Sequence, residues 1–99
     1  MTPGRAGAGV LVRHGSTLLQ FDAGRATSLR LIEAGVGCGD LTALFVTHHH
    51  SDHLTGLQDV LFVRWLERHG DFTPLPVVAP LGASTDYLNA MMDPWASDI

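Results

Sequence analysis

Apolar and polar positions along the chain sort into a series of short elements. Gly9 to Val12 and Thr17 to Phe21 are apolar runs separated by Arg13 to Ser16, with His14-Gly15 at the tip, which predicts a β-hairpin. The second run stops at Asp22-Ala23-Gly24, a tight turn in which Gly24 supplies backbone freedom. Thr27 or Ser28 is placed to cap a helix whose buried stripe is expected to be Leu29, Ile32 and Leu31, ended by Gly35. Thr42 to Val46 is a continuous apolar run followed at once by polar residues, the pattern of a strand buried on both faces. From Leu57 or Gln58 to His69, the residues Leu57, Val60, Leu61 and Trp65 recur at helical steps and Gly70 closes the pattern. Leu75 to Ala79 reads as a further buried strand, and Ala83 to Met92 as a helix broken by Pro94. Alternation of strand and helix on this scale is an α/β pattern.

Composition narrows this picture. A chain of 99 residues holds one domain at most, and 45% hydrophobic residues with 16% charged describe a globular sequence with a sizeable core. No apolar run approaches the roughly 18 residues of a membrane span, so no membrane partner is expected. Met1 to Gly9 is not followed by a signal-peptide stretch, and the lone Cys38 has no partner for an internal disulfide. Both features point to a cytoplasmic protein in which Cys38 is a small buried side chain. Net charge is −4, and all six cations are arginines spread along the chain. The basic stripe of a nucleic-acid footprint is therefore missing.

Chemistry concentrates in Thr47-His48-His49-His50-Ser51-Asp52-His53, directly after the predicted strand. If the backbone stays extended there, His48 and His50 point the same way and can share a metal, whereas His49 points away. Where the chain turns into the next helix, Asp52 and His53 are redirected to a neighbouring point. Two metals could thus lie close together, as in hydrolytic sites with spacings of about 3.5–4 Å. Imidazole and carboxylate suit zinc, and also manganese or iron. Background residue frequencies give a chance His-x-His-x-Asp-His in a chain this long odds on the order of one in ten thousand. The carboxyl end of a strand is also where α/β sheets place ligands. No other nucleophile presents itself: the serines lie in no elbow motif and Cys38 has no evident activator.

The segment resembles the His-x-His-x-Asp-His motif of the metallo-β-lactamase superfamily, and Leu19-Gln20-Phe21-Asp22-Ala23-Gly24 looks like that family's strand-Asp-x-Gly motif. Phe45-Val46-Thr47-His48 and His53-Leu54-Thr55-Gly56-Leu57 are similar to its ribonuclease Z and arylsulfatase-like branch, although Ser51 stands where ribonuclease Z proteins usually have Gly. The resemblance covers roughly residues 5 to 70 and implies the N-terminal half of a four-layer αββα sandwich. It implies that His48 and His50 bind a first zinc and that Asp52 and His53 bind a second. Asp52 would also contact the attacking hydroxide and accept its proton, and Asp22 would fix the motif loop by hydrogen bonds and orient an imidazole.

Catalytic zinc sites normally have three protein ligands plus a water, and this motif supplies two per metal. The resemblance places a further His, a bridging Asp and a last His well downstream. His14 and His69 are poor substitutes, on a hairpin tip and a helix. The expectation is a single partial domain over residues 1–99, truncated at its C-terminus and without its first strand. Two readings follow. The parent is a dinuclear zinc hydrolase of phosphodiester or other ester bonds, acting on a small-molecule or nucleic-acid substrate; or the chain is a non-catalytic metal-binding domain. Substrate and oligomeric state are open.

Overall fold

The computed structural model describes residues 8–67 and 75–91. The stretch expected to lack the first strand of the fold, His69, Gly70 and Met92 to Pro94 lie outside the described residues. The hairpin forms as β1 (Val10–His14) and β2 (Thr17–Phe21), antiparallel, with His14 opposite Thr17. Gly15 takes the first of the two turn positions at φ 59°, a conformation that costs a glycine little. After helix α1 (Thr27–Glu33) the chain returns as β3 (Ala43–Phe45), parallel to β2, and β4 (Val77–Val78) lies parallel to β3 on its far side. Between them run α2 (Ser51–Leu54) and α3 (Leu57–Glu67), and α4 (Ala83–Ala90) follows β4. Strand order among the described residues is β1-β2-β3-β4.

Strand register assigns the two faces of this sheet. Leu11, Gln20, Leu44 and Val77 are cross-strand neighbours on one face. That face packs on Leu31 of α1 and on Leu57 and Val60 of α3, with Leu44, Leu57 and Val60 fully enclosed. The opposite face carries Val10, Val12, Phe21, Phe45 and Val78, and there Phe21 and Phe45 stack with centroids 5.0 Å apart. Val10 and Val78 remain 60% and 55% exposed. The expectation of a buried strand is therefore corrected at β4, where Val78 is exposed, while Ala43 and Phe45 of β3 are partly buried on that face. One helical layer and one sheet account for two of the four layers of an αββα sandwich.

Helix α1 departs from its hydrophobic pattern. Leu31 is buried as expected, but Leu29 and Ile32 face solvent, and Thr27 and Ser28 are buried in their place. The expected cap is also absent: the helix starts from Ala26 at φ 64°, with no side-chain cap bond. The reason is polar. The Thr27 hydroxyl donates to the Gly24 carbonyl at 2.7 Å and that of Ser28 to the Asp59 carboxylate of α3, which turns this face inward. The C-terminal reading holds, because Gly35 at φ 79° closes the helix with Val36 N–H on the Leu31 carbonyl and Gly35 N–H on that of Ile32.

Buried Arg64 braces the entry to β3. Its guanidinium donates to the carbonyls of Cys38 and Leu41, both at 3.0 Å, and Glu67 accepts the Cys38 N–H at 3.1 Å. These bonds satisfy the backbone of the short 3₁₀ turn Cys38–Asp40 and fix where β3 begins.

Candidate metal centre

Strands β2 and β3 end side by side, and the segments leaving them are stitched together. Asp22 N–H donates to the Phe45 carbonyl at 2.7 Å, Ala23 N–H to that of His53 at 2.7 Å, and Gly56 N–H to that of Ala23 at 2.8 Å. Gly56 is required by this approach, since a Cβ there would sit 2.0 Å from the Gly24 carbonyl oxygen. Asp22 itself takes a left-handed backbone, φ 64°, which Asp tolerates better than most residues. That turn aims its carboxylate across to the segment after β3.

There Asp22 meets three donors: Thr47 N–H at 2.8 Å on Oδ1, and on Oδ2 the Thr47 hydroxyl at 2.7 Å and His53 Nδ1 at 2.8 Å. Burial alone would raise the pKa of this carboxyl. The hydrogen bonds from Thr47 and His53, with the attraction of a charged His53, together outweigh it and hold the group below its ordinary value. The expectation that Asp22 fixes the loop and orients an imidazole is met at His53.

The motif histidines gather beside it. The ring of His48 lies 3.9 Å from that of His53 and 4.6 Å from that of His50, and the His50 and His53 centroids are 6.5 Å apart. The extended stretch is brief, for His50 N–H already turns back to the His48 carbonyl at 3.1 Å and α2 starts at Ser51. His49 points elsewhere, its Nδ1 3.1 Å from the Ser84 hydroxyl of α4 and its ring 6.3 Å from that of Tyr87. Asp52 is 69% exposed, with Oδ2 3.6 Å from His53 Nε2.

The donor set suits zinc in kind, imidazole and carboxylate. The 3.6 Å between His53 Nε2 and Asp52 Oδ2 is near the roughly 3.4 Å that separates two ligands of a tetrahedral zinc with bonds of about 2.0–2.1 Å. Among the described residues, no three His, Cys, Asp or Glu side chains converge tightly enough to hold a metal by themselves. His14 sits exposed on the hairpin, away from the cluster. Burial, then the charges of Glu67 and Asp59, push the Cys38 thiol up to about 12, so it offers no thiolate. Sequence reasoning gave no role to Thr47 or to Ser84. Thr47 had one visible signal, a hydroxyl at the last position before the first motif histidine.

Comparison with known proteins gives a consistent result. The family described as "Anti-Pycsar protein Apyc1" matches residues 6–80. The ribonuclease Z of Mycobacterium sp. (strain KMS) is 39% identical over 95 residues, 96% of this chain and 33% of that protein. Human tRNase Z, short form, superposes with a TM-score of 0.80 at 28% identity, over 95% of this chain and 34% of its own. The metallo-β-lactamase fold protein YhfI of Bacillus subtilis superposes with a TM-score of 0.75 at 21% identity, over 89% of this chain and 36% of its own. The chain spans about a third of the length of the curated relatives it matches. Among the described residues, no helix is long and apolar enough to cross a membrane.

Proposed function

Because the chain belongs to the metallo-β-lactamase superfamily, within the family described as anti-Pycsar protein Apyc1 and with ribonuclease Z relatives, we propose that it carries half the active site of a dinuclear zinc hydrolase cleaving phosphodiester or related ester bonds. The observation behind this reading is the juxtaposition of His48, His50, Asp52 and His53 at the carboxyl end of β3, with His53 held by Asp22. His48 and His50 hold the first metal; Asp52 and His53 hold the second. What zinc supplies when bound is an acidified water and positive charge opposite the attacked ester. Asp52, open to solvent, takes the proton. Asp22 and Thr47 keep the imidazoles in place. The names ribonuclease Z and tRNase Z favour a nucleic-acid phosphodiester as substrate, bound through parts of the protein other than this acidic, lysine-free segment.

The exposed Val10, Val12 and Val78 on the second face of the sheet favour a partial domain. They also support the second reading for the 99 residues taken alone, a metal-binding unit that does not turn over. We read its setting as cytoplasmic, on the lone buried cysteine. Hydrolysis of bis-nitrophenyl phosphate tests the proposal. The 99-residue chain is expected to be nearly inactive, and a protein joining it to the remainder of the fold active. Asp52→Ala in the latter lowers the rate at least about 100-fold and His49→Ala changes it little. Equal losses at both positions, or full activity in metal-free protein, contradict it.

A further inference from the structure

The hydrogen-bond chain around Asp22 reaches one residue further than His53. Thr47 Oγ1 lies 2.7 Å from Asp22 Oδ2 and, on its other side, 3.0 Å from His48 Nδ1. A hydroxyl has one proton and two lone pairs, and an ionised carboxylate only accepts. If the Thr47 proton pointed at His48, two oxygens would face each other at 2.7 Å with no hydrogen between them. The proton therefore lies toward Asp22. What Thr47 offers His48 is a lone pair, so His48 Nδ1 must carry hydrogen and donate it. His53 Nδ1 donates to Asp22 by the same reasoning.

We infer that Thr47 is a positioning residue: its hydroxyl relays the acceptor character of Asp22 to His48, so that one carboxylate fixes the Nδ1–H tautomer of both His48 and His53. Each ring then presents a bare Nε2. Free histidine in water favours the opposite tautomer, with its proton on Nε2, so the relay inverts the natural preference at both rings. A metal ligand needs an unprotonated ring nitrogen, and the hydrogen bond on the other nitrogen decides which one it is. Resting on the metal reading above, His48 and His53 belong to different pairs, and Asp22 with Thr47 ties the two pairs together.

Long-range proton–nitrogen NMR on the metal-free 99-residue chain at about pH 8 reads the tautomers without any metal. Wild type should show Nδ1–H at His48 and His53. Thr47→Val should move His48 to Nε2–H and leave His53 unchanged, Thr47→Ser should keep both, and Asp22→Asn should disturb both. Zinc affinity, measured by competition with a chromophoric chelator, should fall about 10- to 100-fold at one site in Thr47→Val and recover in Thr47→Ser. An Nε2–H tautomer at wild-type His48, an unaltered His48 signal in Thr47→Val or, where wild type binds zinc, an unaltered zinc affinity in that variant overturns the relay. If Thr47→Val unfolds, the serine variant decides, since loss of the His48 Nδ1–H with the hydroxyl kept also overturns it. Expected tautomers in a wild-type chain that binds no zinc would sink the metal reading and uphold the relay.

Discussion

Asp22 and Asp52 bear the same carboxylate beside the same imidazole, His53, yet one is 8% exposed and accepts three hydrogen bonds while the other is 69% exposed and lies 3.6 Å from His53 Nε2. The inner half of the cluster, Asp22 with Thr47 and His53, is part of how β2 and β3 are joined. The outer half, His50 and Asp52, stands on exposed chain at the start of α2. The difference teaches that orientation of the donors is built by the fold, whereas their reach toward a ligand is left free. Substitutions should therefore lose their effect on stability from the inside outward, without losing their effect on metal.

The largest stability loss is expected at the inner turn. Asp22→Ala leaves the Thr47 N–H and His53 Nδ1 without their acceptor, a cost of about 2–4 kcal/mol by denaturant unfolding. Gly56→Ala forces a backbone carbonyl aside and should cost a similar amount. A loss under about 0.5 kcal/mol in both would mean that the stitched turns are not structural.

The core beneath carries a pH signature. Folded Cys38 keeps its proton up to about pH 12, while the unfolded thiol releases it near the ordinary 9.0. Between those values the folded state binds more protons, so stability falls as pH rises, by roughly 1–3 kcal/mol at pH 11. Cys38→Ala should flatten the difference; identical pH curves for both proteins would contradict it.

Smaller still is His49→Ala, which frees the buried Ser84 hydroxyl and should cost about 1 kcal/mol while leaving zinc affinity unchanged. Asp52→Ala should alter stability least, within about 0.5 kcal/mol, because a largely exposed carboxylate 3.6 Å from His53 contributes little to the fold.

The same inside-to-outside division governs what was legible in the sequence. The hairpin, the strand after α1 and α3 follow from period and turn chemistry, and the gathering of the motif histidines at the end of that strand from their spacing. Leu29 and Ile32 misled because periodicity counts apolar residues, whereas Thr27 and Ser28 are drawn inward by bonds to Gly24 and Asp59 that are remote in sequence or carried by the backbone. The exposure of Val78 was hidden for another reason: a run such as Leu75 to Ala79 looks alike whether one face or two are covered. Thr47 escaped notice because its role depends on Asp22, 25 positions earlier, arriving with a left-handed backbone.

Zinc titration of the chain, with metal content by elemental analysis, compares wild type, His49→Ala and Asp52→Ala on one footing. Wild type and His49→Ala should bind with the same weak affinity, and Asp52→Ala should lose the site it shares with His53, by at least about 10-fold. Equal affinity in all three proteins, or equal loss in both variants, would contradict the assignment of His48, His50, Asp52 and His53 as a paired metal site.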